Sequence, residues 1–105
     1  MKFRLGNKEF VVRKCKNDDC QFWYTLSEKN MKRYAEIEWG SWDGDLIRST
    51  FDKNKIWIVE FEGERIAFYD FEFKKDHTFI NNIQIVDSFK GQGLGYFIIN
   101  FIENE

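Results

Sequence analysis

The residues best placed to do chemistry lie near the end of the chain, where the Ile-rich stretch Ile80–Val86 precedes the alternate glycines Gly91, Gly93 and Gly95. The apolar run Tyr96–Ile102 predicts a helix that begins at these glycines. The first N–H groups of a helix have no acceptor within the helix and lie at the positive end of its dipole. Because glycine has no side chain, an anion can approach those N–H groups directly. The spacing therefore predicts a cradle for a phosphate or pyrophosphate.

Two common phosphate-binding motifs do not fit these glycines. A P-loop continues with Lys and then Ser or Thr, whereas Gly95 is followed by Tyr96 and Phe97. A dinucleotide-binding loop has the spacing G-x-G-x-x-G, whereas the spacing here is G-x-G-x-G. A glycine-rich turn that binds no ligand stays open as an alternative.

The pattern is narrower than a glycine loop alone, because the basic residue Lys90 comes first, and Gly93 and Gly95 follow it at fixed spacing. This arrangement resembles motif A of the GNAT N-acetyltransferase superfamily, which reads Arg or Gln, two residues, Gly, one residue, Gly or Ala. The preceding Asn-Ile-Gln-Ile-Val at residues 82–86 is also similar to that superfamily. The resemblance extends over nearly the whole chain and is loosest before Lys55.

The resemblance implies that acetyl-coenzyme A is the co-substrate. Its pyrophosphate would lie on the loop backbone beside Lys90, and its pantetheine arm would lie along the preceding strand, which a bulge separates from its neighbour. The amides of Ile83 and Ile85 would pair with that arm, and the Ile83 amide would polarise the thioester carbonyl. The cofactor-binding residues that this comparison predicts are Ile83, Ile85, Lys90, Gln92, Gly93, Leu94, Gly95 and Tyr96.

Such a site supports direct transfer of an acetyl group from the thioester to a primary amine. In many relatives the general base is a Glu on the strand before the loop, but this sequence has Asn81 and Asn82 there, and an amide is no base at neutral pH. Asn81, at the base position, and Glu72, on the neighbouring strand, are the candidate catalytic residues. The other acids on the neighbouring strands are Glu60, Glu62 and Asp70.

A complete domain of that superfamily continues past this helix into further strands and a helix, which contain the Tyr that protonates the leaving thiolate. We therefore expect this chain to correspond to the N-terminal half of the full fold. Two classes of function follow. The chain is an N-acetyltransferase acting on a small-molecule or protein amine, or it is a coenzyme A-binding or interaction module, or enzyme fragment, without catalysis of its own.

The composition limits the class of protein that can contain this predicted anion-binding loop. A chain of 105 residues with 43% hydrophobic and 19% aromatic content predicts a single domain, residues 1–105, with a real core. The net charge of −2 gives no reason to expect nucleic acid and mildly favours amine partners. No run is apolar enough for a signal peptide or a membrane span, so we expect a cytoplasmic protein. Cys15, Cys20 and His77 lack the spacing of a zinc site, so no metal is expected.

The sequence predicts, in order, one strand, two helices, three antiparallel strands and a final helix, and these elements must position the loop. The predicted strands are Glu9–Cys15, Lys55–Glu62, Arg65–Phe73 and Thr78–Val86. The predicted helices start after the N-cap candidates Asn17–Asp19, with a break near Ser27 left open, after Asp43, and at Leu94. The fold class is thus α+β, a mostly antiparallel sheet with helices on both faces, and by resemblance a truncated GNAT-like acyl-CoA N-acyltransferase fold.

Two aromatic and apolar features remain open. Trp39 and Trp42, at the junction of the first two helices, either line a substrate site or pack against the core. The last helix is apolar on almost every side, with Tyr96 and Asn100 as its polar positions, and the Thr78–Val86 strand is an exposed sheet edge. We expect the chain to form a homodimer in which each copy covers these surfaces of the other.

Overall fold

The chain forms an antiparallel sheet of five strands with helices on both faces, as shown by a computed structural model that describes residues 1–74 and 77–103 and the side chains of 1–70 and 82–100. The strands, each paired with the next, are β1 Lys2–Leu5, β2 Lys8–Lys14, β3 Ile56–Phe61, β4 Glu64–Lys74 and β5 His77–Ile85. The helices are α1 Cys20–Trp39, α2 Gly44–Ser49 and α3 Leu94–Glu103. The predicted α+β class with a mostly antiparallel sheet is confirmed.

The first strand of the sheet is β1, which the sequence analysis did not predict. The prediction that Glu9–Cys15 is the first strand of the sheet is therefore wrong, because β1 precedes it. A turn with Gly6 at a φ of 65° reverses the chain, and Phe3 of β1 then lies directly opposite Phe10 of β2. The ring of Phe3 also stacks on Phe97 of α3 at 5.0 Å between centroids. β1 therefore covers part of the apolar surface of the last helix.

The helix α1 runs without a break through Ser27. Trp23 and Leu26 are buried against the sheet on the turn before Ser27, and Ala35 is buried two turns after it. This packing stabilises a continuous helix where local sequence alone is ambiguous, because most helical stability in proteins comes from tertiary burial. α1 ends at Gly40, which has a φ of 84° and donates its N–H to the carbonyl of Glu36.

The sheet separates two apolar clusters, one on each of its faces. On one face α3 packs over the sheet, and the fully buried side chains there include Phe10, Val12, Val59, Ala67, Leu94 and Ile98. On the other face α1 packs over the sheet, and the buried side chains there are Cys15, Trp23, Tyr24, Leu26, Ile56, Ile58 and Phe68. Burial raises the pKa of the Cys15 thiol to about 11, so this cysteine is a protonated core residue.

Asp19 was predicted to supply helix N-cap chemistry, and it is the N-cap residue of α1, but its carboxylate is bonded to other groups. It makes no side-chain capping bond to α1. Both of its oxygens accept hydrogen bonds from the Arg13 guanidinium of β2, at 2.8 and 2.9 Å. Arg65 of β4 lies 3.0 Å from one oxygen, and the backbone N–H of Lys16 donates to the other at 2.8 Å. Asp19 is completely buried, so these donors replace its hydration and fix the start of α1 against two strands.

Replacing Asp19 should destabilise the fold strongly, because it would leave Arg13 and Arg65 facing each other without their shared anion. We expect Asp19→Asn to lower the free energy of unfolding by about 3 kcal/mol at neutral pH, as for other broken buried ion pairs. The exposed neighbour Asp18 provides the control, since Asp18→Asn removes the same charge without touching the network. Urea denaturation of the three proteins measures the difference, and equal losses in the two variants would contradict this role.

The same carboxylate predicts a pH dependence. Hydrogen bonding to Arg13 holds the pKa of Asp19 below its ordinary value. The stabilisation is therefore complete above the unfolded-state pKa of about 3.9 and is lost as the pH falls through the folded-state pKa. Asp19→Asn should lack this part of the acid sensitivity when denaturation is repeated between neutral and acidic pH.

Candidate functional site

The strand before the glycine loop contains a bulge. Asp70 of β4 lies opposite Asn82, but the next residue Phe71 lies opposite Ile80, so Asn81 is an extra residue on β5. An extra residue on one strand disrupts the ladder locally and bends the bulged strand. A bulge in this strand is what the resemblance to the GNAT superfamily implied.

The backbone of Ile83 and Ile85 faces the outer edge of β5. The N–H of Val86 donates to the carbonyl of Ile66 on β4 at 2.9 Å. In an antiparallel pair, bonding toward the partner alternates with bonding away from it, so Ile83 and Ile85 direct their N–H and C=O groups away from β4. The side chain of Asn30 on α1 confirms this direction, since its Nδ2 donates to the Ile85 carbonyl at 3.2 Å. The two N–H groups thus line a sheet edge that a bound extended group can reach.

The glycine loop connects this strand to α3 through two left-handed residues. Gly91 has a φ of 76° and Gly93 a φ of 81°, conformations that disfavour every residue with a Cβ. The first hydrogen bond within α3 runs from the N–H of Phe97 to the carbonyl of Gly93 at 3.0 Å. The N–H groups of Leu94–Tyr96 therefore precede the first intrahelical bond. They form the positive end of the helix that the sequence predicted as an anion cradle.

Gly95 has a different role from Gly93. A Cβ at Gly95 would meet Cδ1 of Ile85 at 3.5 Å, an ordinary contact, whereas a Cβ at Gly93 would meet nothing within 4 Å. Gly93 is thus required by its backbone conformation, and Gly95 lies where the first turn of α3 comes close to β5. A small residue suffices at that second position.

Lys90 is a cation beside the loop, and α1 holds it in place. Its Nζ donates to Oδ1 of Asn30 at 3.0 Å and lies 2.9 Å from Oδ1 of Asp87. Lys29 also pairs with Asp87, at 2.9 Å. The ammonium groups of Lys90 and Lys29 lower the pKa of Asp87 to about 2. The loop therefore has two ammonium groups with one carboxylate between them.

Sequence reasoning missed a third cation at the loop. Lys8, at the start of β2, donates from Nζ to Oε1 of Gln92 at 3.0 Å and lies 5.3 Å from the centre of the Phe89 ring. Gln92 in turn donates to the carbonyl of Ser88 at 2.9 Å, which closes the loop on itself. Lys8 and Gln92 are 84 residues apart in the sequence, so no local pattern could have paired them.

A cavity of about 360 Å³ lies on the α1 side of the sheet. Its walls come from α1, the junction between α1 and α2, α2, the segment after α2, the start of β3, and the middle of β4 and β5. Most of the lining is apolar, and Trp23, Met31, Ala35, Trp39, Trp42, Ile47 and Ile56 supply it. The polar lining residues are Ser27, Thr50, Asp52, Lys55, Asp70 and Asn82. Trp39 and Trp42 are therefore both cavity-lining residues, and Trp42 also packs in the core on this face.

One end of the cavity is polar. Asp70 and Asn82 are directly opposite each other on β4 and β5, so their side chains lie on the same face of the sheet. Ser27 of α1 is only 5% exposed, and its Oγ has no hydrogen-bond partner among the residues that the structure describes. A buried hydroxyl without a partner is costly, so a polar ligand atom that reaches Ser27 from the cavity would be stabilised.

A chain of side-chain hydrogen bonds connects the loop to the cavity. Lys90 donates to Oδ1 of Asn30, and Asn30 donates from Nδ2 to Oε1 of Gln84 at 2.9 Å. Gln84 donates from Nε2 to Oδ1 of Asn82 at 2.7 Å. Because the oxygen of Asn82 is occupied in this way, its amide N–H₂ group is the part available to a molecule in the cavity.

The two predicted catalytic side chains, Glu72 and Asn81, lie outside the described side chains. Of the other predicted acids, Glu60 pairs with Arg13 at 3.3 Å. Glu62 lies in the tight turn before β4, with a φ of 52°. Asp70 is the one of these three that lines the cavity.

Two kinds of site are absent from the part of the chain that the structure covers. Within it, no cluster of three or more His, Cys, Asp or Glu side chains is arranged to hold a metal ion. No helix in that same part has the length and apolar character needed to cross a membrane.

Solved structures of acetyltransferases have this fold. A GNAT-family acetyltransferase from Listeria monocytogenes 4b F2365 has a TM-score of 0.72 and 19% sequence identity, over 99% of this chain and 73% of that one. A possible acetyltransferase from Clostridium difficile 630 has a TM-score of 0.64 and 16% identity, over 90% and 69% of the two chains. N-acetylglutamate synthase from Neisseria gonorrhoeae, complexed with coenzyme A and N-acetyl-glutamate, has a TM-score of 0.60 and 13% identity, over 90% and 22%.

Neither a protein-family model nor a curated protein matches this sequence. The structural likeness therefore establishes the fold, and it confirms the GNAT resemblance of the sequence at that level.

The three loop glycines should respond differently to substitution. Gly91→Ala and Gly93→Ala should each lower the free energy of unfolding by about 1 kcal/mol, because both residues have left-handed backbones. Gly95→Ala should be neutral within about 0.5 kcal/mol, since the added methyl makes an ordinary contact and alanine favours a helix. Urea denaturation of the three variants tests this order. A larger loss for Gly95→Ala than for the other two would contradict these roles of the three glycines.

Proposed function

We propose that this chain, which has the fold of the GNAT acetyltransferases, binds acetyl-coenzyme A and transfers its acetyl group to a primary amine. The observation that supports this most directly is that the N–H groups of Leu94–Tyr96 and those of Ile83 and Ile85 lie on two adjoining elements, the start of α3 and the outer edge of β5. The first set suits a pyrophosphate, and the second suits an extended chain of amides.

In this proposal the pyrophosphate lies at the N-terminus of α3, with Gln92 and Gly93 at its side. Lys90 and Lys8 supply positive charge on either side of the loop. The pantetheine arm pairs with the N–H groups of Ile83 and Ile85 at the edge of β5. Asn30 already binds the Ile85 carbonyl, and this leaves the N–H side of the edge for the arm.

The chemistry is a direct acyl transfer. The amine loses a proton, its nitrogen attacks the thioester carbonyl carbon, and a C–N bond forms as the C–S bond breaks. The N–H of Ile83 stabilises the negative charge that develops on the carbonyl oxygen. The second amine proton is released, the thiolate takes up one proton, and the products are an N-acetyl amine and coenzyme A. Asp70, which lines the cavity, is the acid positioned to receive a proton, while Asn81 and Glu72 stay predictions as catalytic residues.

A second candidate function is a coenzyme A-binding module without catalysis. It is favoured by Asn82, which faces the cavity where a base would act, because a carboxamide accepts no proton at neutral pH. An assay of coenzyme A release from acetyl-coenzyme A with a panel of primary amines distinguishes the two. Turnover excludes the module, and binding without turnover excludes the enzyme.

Binding itself can be followed by amide NMR. Acetyl-coenzyme A should shift the amide resonances of Leu94, Gly95 and Tyr96, together with those of Ile83 and Ile85. The amide of Phe97 should change less, since it already donates within α3. Adenine dinucleotides should not produce these shifts, because they lack the pantetheine arm that pairs with β5.

A pair of loop variants separates ligand contact from backbone strain. Gly93→Val and Gly91→Val have the same strain, since their φ values are 81° and 76° and neither added Cβ meets a neighbour within 4 Å. Gly93 is the residue that caps α3, so Gly93→Val should abolish acetyl-coenzyme A binding in calorimetric titrations while Gly91→Val should retain most of it. Unchanged affinity in Gly93→Val would reject this placement of the pyrophosphate.

We also propose that the chain forms a homodimer through β5 and α3. Among the described residues, β5 has a strand neighbour on one side, and Tyr96 on α3 is 75% exposed. β1 covers part of the α3 surface through Phe3 and so weakens the drive to associate. Sedimentation equilibrium over a wide concentration range should show a dimer, and a monomer at high concentration would contradict this proposal.

A further inference from the structure

We propose that the cavity between α1, α2 and the sheet binds a small arylalkyl primary ammonium ion, with its ring against the tryptophans and its ammonium group against Asp70. As the acceptor in acetyl transfer this ligand rests on the proposed function, but its binding does not. The cavity volume, about 360 Å³, is within the range of small-molecule sites.

The aromatic wall favours a ring-bearing ligand. Trp23, Ser27, Met31 and Ala35 are spaced four residues apart on α1 and form one stripe along the cavity. Trp39, at the end of α1, is 71% exposed although it lines the cavity, so the indole is available to a ligand that enters there.

Contacts within the protein hold Trp42, another aromatic lining residue, in place before any ligand binds. Trp42 donates from Nε1 to the Tyr24 hydroxyl at 3.1 Å, and that hydroxyl donates to Glu28 at 3.0 Å. The guanidinium of Arg48 lies 4.1 Å above the Tyr24 ring and holds it from the other side. Because this part of the wall is already ordered, the protein loses less conformational entropy when a ligand binds. This smaller cost favours binding of a small ligand.

The charges of the cavity favour a cation. Its charged lining residues are Asp52, Lys55 and Asp70, two acids and one base. Asp52 accepts from the backbone N–H of Asn54 at 3.0 Å and lies at the start of the short turn before β3. Asp70 lies opposite Asn82 of β5. Aromatic faces add to the attraction of a cation.

The unpartnered hydroxyl of Ser27 indicates where the polar end of the ligand lies. Ser27 is 5% exposed and lines the cavity, and its Oγ has no partner among the described residues. Along α1, Asp19 contacts Arg65 and Trp23 packs against Phe68 of β4, so the next turn of α1, at Ser27, lies over the next position on that face of β4, at Asp70. An ammonium group has three N–H donors, so one group can bond to both. An aliphatic ligand without a donor would leave this hydroxyl unsatisfied.

An amine held at this end would lie next to the proposed thioester position. Asn82 lines the cavity, and the next residue on β5 is Ile83, whose N–H faces the outer edge. Adjacent residues of a strand are separated by about 3.4 Å. The ammonium site at Asn82 and the proposed thioester position at Ile83 are therefore one residue of backbone apart.

The test uses three ligands and the full chain without acetyl-coenzyme A. Calorimetry measures binding of 2-phenylethylamine, of 2-phenylethanol, which has the ring and no charge, and of butane-1,4-diamine, which has charge and no ring. We expect 2-phenylethylamine to bind at least about tenfold more tightly than either of the others. Equal or tighter binding of the diamine, or no binding of any of the three, would overturn the proposal.

Variants then assign the two ends of the ligand. Asp70→Asn should weaken 2-phenylethylamine about tenfold, as expected for loss of a charge-assisted contact, and leave 2-phenylethanol nearly unchanged. Asp45→Asn removes an exposed acid of α2 that does not line the cavity and should change neither ligand. Trp39→Ala should weaken both ring-bearing ligands, while Ile37→Ala, at another exposed residue of α1, should weaken neither.

Two controls keep the outcomes distinct. Circular dichroism establishes that Asp70→Asn is folded, and if it is not, the Trp39 and Ile37 pair alone decides whether the ring lies in this cavity. Binding of the amine without binding of acetyl-coenzyme A would reject the proposed function and leave this inference standing. Binding of acetyl-coenzyme A without discrimination among the three amine-site ligands would reject the inference alone.

Discussion

The buried carboxylate of Asp19 is the interaction on which the arrangement of this molecule depends. A fully buried anion is stable only if every hydration partner is replaced, and Arg13, Arg65 and the Lys16 N–H replace them here. These donors come from β2, from β4 and from the turn just before α1. Because α1 begins at the very next residue, the direction in which it crosses the sheet is set by this network.

That direction gives α1 two separate tasks. One stripe of the helix, which includes Trp23 and Ser27, forms the wall of the cavity. Asn30, one turn after Ser27 and beside this stripe, reaches over the edge of β5 and bonds to Gln84, Ile85 and Lys90. A helix that is apolar around most of its inner surface could slide or rotate on a sheet, since apolar packing has little direction. The polar contacts at Asp19 and Asn30, three turns apart, fix both its position and its rotation.

Features that depend on neighbours in the sequence could be predicted from it. The antiparallel strands β3, β4 and β5, the Asp43 cap of α2 and the start of α3 at Leu94 all follow local rules, and the structure has them. The glycine loop belongs to the same class, because a left-handed backbone needs glycine whatever the rest of the chain does.

Features that depend on distant residues could not be predicted. Asp19 has the sequence context of a helix cap, and one of its partners, Arg65, belongs to a strand far along the chain. β1 has only four residues, and its Phe3 becomes interpretable only once Phe97 is known to lie against it. The contact between Lys8 and Gln92 is of the same kind. In each case two segments that are far apart in the sequence meet only in the folded structure, and no local pattern encodes such a contact.

The bulge at Asn81 then decides which residues of β5 face the cavity. In the part of the β4–β5 hairpin nearer its turn, Phe71 lies opposite Ile80. If this register continued without the extra residue, Asn82 would lie opposite Tyr69. Tyr69 belongs to the cluster under α3, so Asn82 would then face the wrong side of the sheet. The extra residue moves Asn82 opposite Asp70 and places Ile83 on the α3 side with its N–H toward the outer edge. Because of this one inserted residue, β5 contributes Asn82 to the cavity on one face of the sheet. Its next residue, Ile83, directs its N–H toward the outer edge that leads to the glycine loop.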